Sequence, residues 1–145
     1  MPNRLKVLLA EDEEIDYLCV KRAADAAIHP TRLLRVTDGD EALKYLQGDG
    51  VYADRSTFPI PNVLVLDLKM PRKSGFDVLQ WVRDHEIYRT IPVIIFSTSG
   101  LEREVERAYS LGANTYFVKP MAVDDFTKLC DLMVHYWKAA NLPAA

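Results

Sequence analysis

Four kinds of side chain fall where they could act on a phosphoryl group or a metal ion. They are the paired acids Glu11 and Asp12, the carboxylate Asp67, the hydroxyl of Ser97 and the ammonium of Lys119. Each follows a short apolar run: "KVLLA" at 6–10, "VLVL" at 63–66, "PVIIF" at 92–96 and "TYFV" at 115–118. Carboxylates crowded on one edge repel one another, which calls for a divalent cation, and oxygen-only ligation at a partly hydrated site suits Mg²⁺. A cation beside Asp67 can neutralise oxygens of an incoming phosphoryl group. Lys119 can then pair with another oxygen and Ser97 can donate to a third, so Asp67 reads as a nucleophile. Singly, each residue also has a plain structural reading. Residues 11–14 make an acidic first helical turn, Asp67 and Ser97 can cap turns, and Lys119 can be a solvated loop lysine. The combination at four strand ends is what points to chemistry.

Those ends converge only if the strands lie side by side. The run at 63–66 has no polar alternation, as expected of a central strand covered on both faces, and the other three runs and a fifth, "RLLRV" at 32–36, are strand-like. A helical pattern follows each. The first helix carries Ile15, Leu18, Cys19, Ala23 and Ala26 on one stripe, and the second carries Ala42, Leu43 and Leu46. The third aligns Val78, Leu79 and Val82; the fourth aligns Val105, Ala108 and Leu111 and stops at Gly112; the fifth spans about 124–138. This alternation predicts an α/β, (βα)5 flavodoxin-like doubly wound parallel sheet with strand order 2-1-3-4-5, whose carboxyl ends face one crevice. The connection "QGDGVYADRSTFPIPN" at 47–62 is long, and reads as either a mobile loop or a partner-contacting one.

A chain of 145 residues fits one domain. With 27% charged residues and a formal charge of −3, it offers no basic field for phosphate backbones, so nucleic acid is not an expected partner. Cys19 and Cys130 form no CxxC pair and read as reduced core thiols, with no Cys/His set to hold a softer metal. The N-terminal strand is too short for a signal-peptide core and no apolar run approaches a membrane span, so the expectation is a cytoplasmic protein.

The motifs resemble the receiver domain of two-component response regulators over nearly the full chain, 1–145. "LLAEDE" matches the acidic pair, "LVLDLKMPRKSG" the phosphoacceptor motif with Gly75, "VIIFSTS" the switch hydroxyl and "YFVKP" the switch aromatic with its Lys-Pro. The resemblance implies that Asp67 is phosphorylated from a kinase phosphohistidine. It makes Asp12, Asp67 and the backbone carbonyl of Lys69 the Mg²⁺ ligands, with Glu11 acting through water. Lys119 becomes the phosphoryl partner, Ser97 the switch hydroxyl and Tyr116 the aromatic that turns inward when Ser97 moves. It also implies that the Lys119–Pro120 bond is cis, as is frequent in that family. The long loop 47–62, the block "DLKMPRKSGFDVL" and a fifth helix ending "YWKAANLPAA", with its short tail 139–145, are similar to the small single-domain receivers that serve bacterial and cyanobacterial phytochromes, which implies a phytochrome-type histidine kinase as partner and no attached output domain.

Two other functions compete. An aspartate nucleophile after a buried strand also occurs in haloacid-dehalogenase-like phosphatases, but their acid/base aspartate belongs where this chain has Lys69, which cannot act as the general acid. A degenerate receiver that binds partners constitutively is the other alternative; against it, every phosphorylation residue is present. No enzymatic turnover is expected beyond assistance to the receiver's own phosphorylation and dephosphorylation.

The fifth helix carries more apolar surface than one face needs. Phe126, Cys130, Met133 and Trp137 fall within roughly 60° of one another, and Leu129, Leu132 and Tyr136 widen the arc by roughly another 100°. Pairing with a second copy through the fourth-helix, fifth-strand and fifth-helix face buries that extension, so a homodimer is expected.

Overall fold

The computed structural model describes residues 4–26 and 28–143, so Ala144 and Ala145 of the tail lie outside the described residues. Five strands, β1 (Lys6–Ala10), β2 (Arg32–Val36), β3 (Val63–Leu66), β4 (Val93–Ser97) and β5 (Thr115–Val118), form one parallel sheet in the order β2-β1-β3-β4-β5. Five helices alternate with them: α1 (Glu14–Ala26), α2 (Gly39–Gln47), α3 (Gly75–Asp84), α4 (Glu102–Ser110) and α5 (Val123–Ala139). The expected order and nearly all expected strand limits hold. β4 starts one residue later than expected, because Pro92 has no N–H to offer; its carbonyl instead accepts from Leu64.

Successive strand residues point to opposite faces, which builds two cores from the same strands. Leu8, Ala10, Leu64, Leu66, Val93 and Ile95 face α2, α3 and α4; Val7, Leu9, Val63, Val65, Ile94 and Phe96 face α1 and α5. Burial on both sides explains why these runs show no polar alternation. Local signals delimit the helices. The Asp38 side chain accepts from Glu41 N–H at the start of α2, Ser74 and Asp77 form a reciprocal capping box on α3, and Gly112 follows α4 with φ of 104°.

One expected helix face is corrected. In α1, Ile15 is 79% exposed, while Leu18 and Ala26 also face solvent and Cys19 is only half-buried. Ala23 faces inward as expected, but it does so with Val20 and Ala24, an arc turned from the expected stripe by about a third of a turn. The small side chains at 23 and 24 let α1 seat closely beside α5, where Arg22 pairs with Asp131 at 3.0 Å. On α2 the expected core gains Tyr45, which is buried and donates its hydroxyl to the Pro59 carbonyl at 2.8 Å.

The segment 47–62 is packed down. It contains a single 3-10 turn (Gly50–Ala53), and Tyr52, tilted, and Phe58, edge-on, pack against Tyr45 with ring centroids 5.0 Å and 6.0 Å from it. Arg55 donates to the Tyr45 carbonyl at 2.8 Å and the Leu46 carbonyl at 3.0 Å, closing the carboxyl end of α2. Tyr52 reaches Glu41 on α2 at 2.9 Å. Cys19 and Cys130 are both free thiols. Among the described residues, no helix is long and apolar enough to cross a membrane.

Candidate functional site

Strand register brings the candidate residues together. Ala10 pairs with Leu66, so Glu11 and Asp67 are each the next residue beyond paired positions, and Asp67 N–H donates to the Ala10 carbonyl at 3.1 Å. Ser97 pairs with Val118, which places Lys119 one step past the end of β5; its N–H donates to the Ser97 carbonyl at 2.7 Å. Residues from four strands thereby share one edge of the sheet, the edge where open parallel sheets gather their chemistry.

At the centre lies Lys119. Its ammonium donates to Glu11 Oε1 at 2.6 Å, Asp16 Oδ2 at 2.8 Å and Asp67 Oδ2 at 3.0 Å, and sits 5.0 Å from the centroid of the Phe96 ring. Glu11, Asp67, Ser97 and Lys119 are all buried, whereas Asp12 is exposed. Burial drives Glu11 up to about 7, an effect that the Lys119 charge opposes without cancelling. Burial alone lowers Lys119, but the charges of Asp67 and Glu11 outweigh it and hold the ammonium above its ordinary value. Lys119 is therefore charged throughout the physiological range.

Ligand oxygens of Glu11, Asp12 and Asp67 lie within 4.8 Å of one another. Three hard anionic donors, one of them open to water, fit a divalent cation that keeps part of its hydration shell. Lys69, expected to contribute its carbonyl, lies against Asp67, its backbone N–H donating to Asp67 Oδ1 at 3.2 Å, while its side chain points to solvent. The start of α3 rests on the same backbone. A Cβ at Gly75 would lie 2.3 Å from the Asp67 carbonyl oxygen, so this position accepts only glycine.

Ser97 Oγ accepts from Ser99 N–H at 3.3 Å. Tyr116 is half-buried against the core that α2, α3 and α4 share, and its hydroxyl donates to the Ser99 carbonyl at 2.7 Å. Its ring thus already reaches into the β4–α4 connection beside Ser97. Burial pushes the Tyr116 hydroxyl above its ordinary value, which keeps it a donor. Ser99 in turn bonds Glu104 on α4. The Lys119–Pro120 bond is trans, as is every peptide bond among the described residues, which corrects the cis geometry expected from resemblance.

Asp16 is a site residue that sequence reasoning missed. It stands in the first turn of α1, four residues after Asp12 in sequence, so its closeness to the acidic pair was available as a signal. The misjudged face of α1 hid it. On the proposed dimer face, Leu132 is 56% and Tyr136 40% exposed, whereas Leu129 is half-buried against the α1/α5 core and adds less free surface than expected. Tyr136 is held at its tip by Thr115, hydroxyl to hydroxyl at 2.7 Å, and packs edge-on to Phe117.

A five-stranded 2-1-3-4-5 sheet carrying an acidic cluster and a buried lysine at its carboxyl edge is the arrangement of a signalling receiver, and residues 7–131 match the family described as response regulator receiver domain. The chain belongs to that family. Among curated relatives it is similar to response regulator Rcp1 of Synechocystis, 31% identical over 96% of this chain and 93% of Rcp1. The crystal structure of the phosphorylated cyanobacterial phytochrome response regulator RcpA superimposes with a TM-score of 0.91 at 30% identity, covering 98% of this chain and all 100% of RcpA. Response regulator RPA3017, from red light signalling in R. palustris, superimposes with a TM-score of 0.85 at 36% identity, covering 97% of this chain and 99% of RPA3017. Rcp1 itself has been crystallised in a Mn²⁺-bound form, which superimposes at a TM-score of 0.90 with 30% identity, covering 97% of this chain and 99% of Rcp1.

Proposed function

We propose that Asp67 accepts a phosphoryl group from the phosphohistidine of a histidine kinase of phytochrome type. Signalling then proceeds through protein contacts that depend on this modification. The observation that carries the reading is the Asp67 carboxylate, nearly buried at the end of β3, 3.0 Å from a buried ammonium and ringed by two further acids. A carboxylate oxygen of Asp67 attacks phosphorus, the P–N bond to the kinase imidazole breaks, and its electron pair returns to the ring nitrogen. Lys119 offers an N–H to a phosphoryl oxygen, and the Ser97 hydroxyl can turn to donate to another. Glu11, Asp12, Asp67 and the Lys69 carbonyl would hold Mg²⁺, which offsets the charge of the incoming group when bound.

The donor histidine must come within bonding reach of Asp67, so its domain covers the mouth of the site. Apolar side chains of Ile15 and Leu18 on α1, and of Met121 and Val123 just beyond Lys119, are exposed there for such a contact. Similarity to the cyanobacterial phytochrome response regulator RcpA and to Rcp1 supports a kinase of phytochrome type. Free thiols suit the reducing cytoplasm in which such kinases present their histidine. The exposed Leu132 and Tyr136, together with the edge strand β5 and its exposed Val118, support homodimer formation through α4, β5 and α5.

A constitutive binding module is the second reading, favoured by one feature: Tyr116 is already bonded to the Ser99 carbonyl. Incubation with a radiolabelled phosphohistidine kinase separates the two. Label that requires Mg²⁺ and disappears in Asp67→Asn supports the acceptor role; label retained in Asp67→Asn, or none in the wild type, overturns it.

A further inference from the structure

The ammonium of Lys119 has three N–H donors, and all three are spent on carboxylates: Glu11, Asp67 and Asp16. An incoming phosphoryl oxygen needs one of them. Glu11 is fully buried, so releasing it strands a charge away from water. Asp67 is the group being modified. Asp16 is the partner that water can take back, because its side chain keeps 22% of its surface exposed on the first turns of α1. Its carboxylate also stands where it repels the phosphoryl dianion that Lys119 must reach, because both need the same ammonium.

We propose that Asp16 is a positioning residue that occupies the third donor of Lys119 in the unmodified protein and yields it to the phosphoryl group, so that it opposes phosphorylation. This rests on the reading of Asp67 as acceptor and adds a restraint outside the metal-binding acids. Asp16 acts through Lys119 and touches no reacting atom. Its contact exists in one state and is lost in the other, so it must bias the equilibrium between them. Removing it favours the phosphorylated state twice over, by freeing the donor and by deleting the repulsion.

Beryllium trifluoride, which binds a carboxylate non-covalently in place of a phosphoryl group, reads this equilibrium without turnover. Its affinity in the presence of Mg²⁺ is measured by titration calorimetry or ¹⁹F NMR for wild type, Asp16→Asn and Asp16→Ala. Asp25→Asn, whose parent side chain pairs with Lys21 on the exposed side of α1, serves as a charge-matched control. The expected result is binding tighter by about fivefold to tenfold in Asp16→Ala, in line with the net loss of one partly solvent-exposed hydrogen bond to the competing state. Asp16→Asn is expected to fall between Asp16→Ala and wild type, and Asp25→Asn to match wild type. Affinity for Mg²⁺ alone should move the opposite way and weaken, because one negative charge has left the neighbourhood. A merely structural role lowers both affinities together, and that result overturns the proposal, as do unchanged beryllium trifluoride affinity in both Asp16 variants or an equal gain in Asp25→Asn. No binding to wild type overturns the acceptor reading itself, whereas binding to wild type with no effect of Asp16 overturns only the role of Asp16.

Discussion

Lys119 Nζ lies 2.6 Å from Glu11 Oε1, across 108 residues of sequence, with both side chains sealed from solvent. A buried ion pair of this kind owes little to the net energy of the pair and a great deal to the cost of breaking it. It fixes the end of β5 against the end of β1, and with them the ammonium against Asp67.

Replacing Lys119 by Met should therefore destabilise the metal-free protein by about 3 kcal/mol, because Glu11 and Asp67 lose the charge that compensates them. Urea unfolding in EDTA measures this. Millimolar Mg²⁺ should restore part of the loss, since a cation among the three acids supplies charge in place of the ammonium; a variant as stable as wild type in EDTA contradicts the account.

The raised value of Glu11 gives metal binding a pH dependence. A cation must displace the proton that Glu11 holds below about 7, so affinity should climb as pH rises from 5 towards 7 and level off above. The effect on stability has the opposite sign. Glu11 rises from 4.5 when unfolded to about 7 when folded, so the metal-free native state binds the extra proton between those values and loses stability as pH increases across them. Mn²⁺ titrations followed by electron paramagnetic resonance at several pH values test the first statement; an affinity flat between pH 5 and 7 refutes it.

Gly75→Ala places a methyl group 2.3 Å from the Asp67 carbonyl oxygen, so either α3 or the backbone of Asp67 must shift. The expected loss of stability is about 3 kcal/mol, at the upper end for overpacking because the obstacle is backbone. Labelling of Asp67 should fall with it, by displacement of the carboxylate. Thermal unfolding beside a labelling assay reports both; a fully stable, fully labelled variant would show that the helix start moves freely.

The proposed dimer face makes its own demand. Leu132→Glu/Tyr136→Glu puts charge on the exposed part of α5 and should sediment as a monomer under conditions where wild type, unmodified or phosphorylated, forms dimers. Leu132 lies mostly in water, but Tyr136 is 40% exposed and packs on Phe117, so the double variant should lose about 1–2 kcal/mol of folding stability, chiefly from the lost Phe117 and Thr115 contacts. A dimer indifferent to both charges rules this surface out.

The sequence alone was enough to define the five strands, their order and the set of residues at their carboxyl ends. The reason is local. A strand buried on both faces must be apolar at every position, as "VLVL" before Asp67 is, and a left-handed helix end selects glycine, as at Gly112. The motif residues Glu11, Asp67, Ser97 and Lys119 each abut such a strand, so their convergence followed from the topology. Helix rotation was not legible in the same way. Alpha1 has apolar side chains on more than one face, and only docking beside α5 decided that Val20, Ala23 and Ala24 turn inward while Ile15 turns out. That rotation carries Asp16 to Lys119, 103 residues away, and no periodicity within a single element encodes such a meeting. The same holds for segment 47–62, whose glycines and prolines suggest a loose loop until Tyr52, Arg55 and Phe58 find their partners on α2, and for Tyr116, whose partner is a backbone carbonyl on a neighbouring connection. Local patterns fix which residues must be buried or turned, but a hydrogen bond between distant side chains depends on the position and rotation of both elements at once, and only the packed molecule sets those.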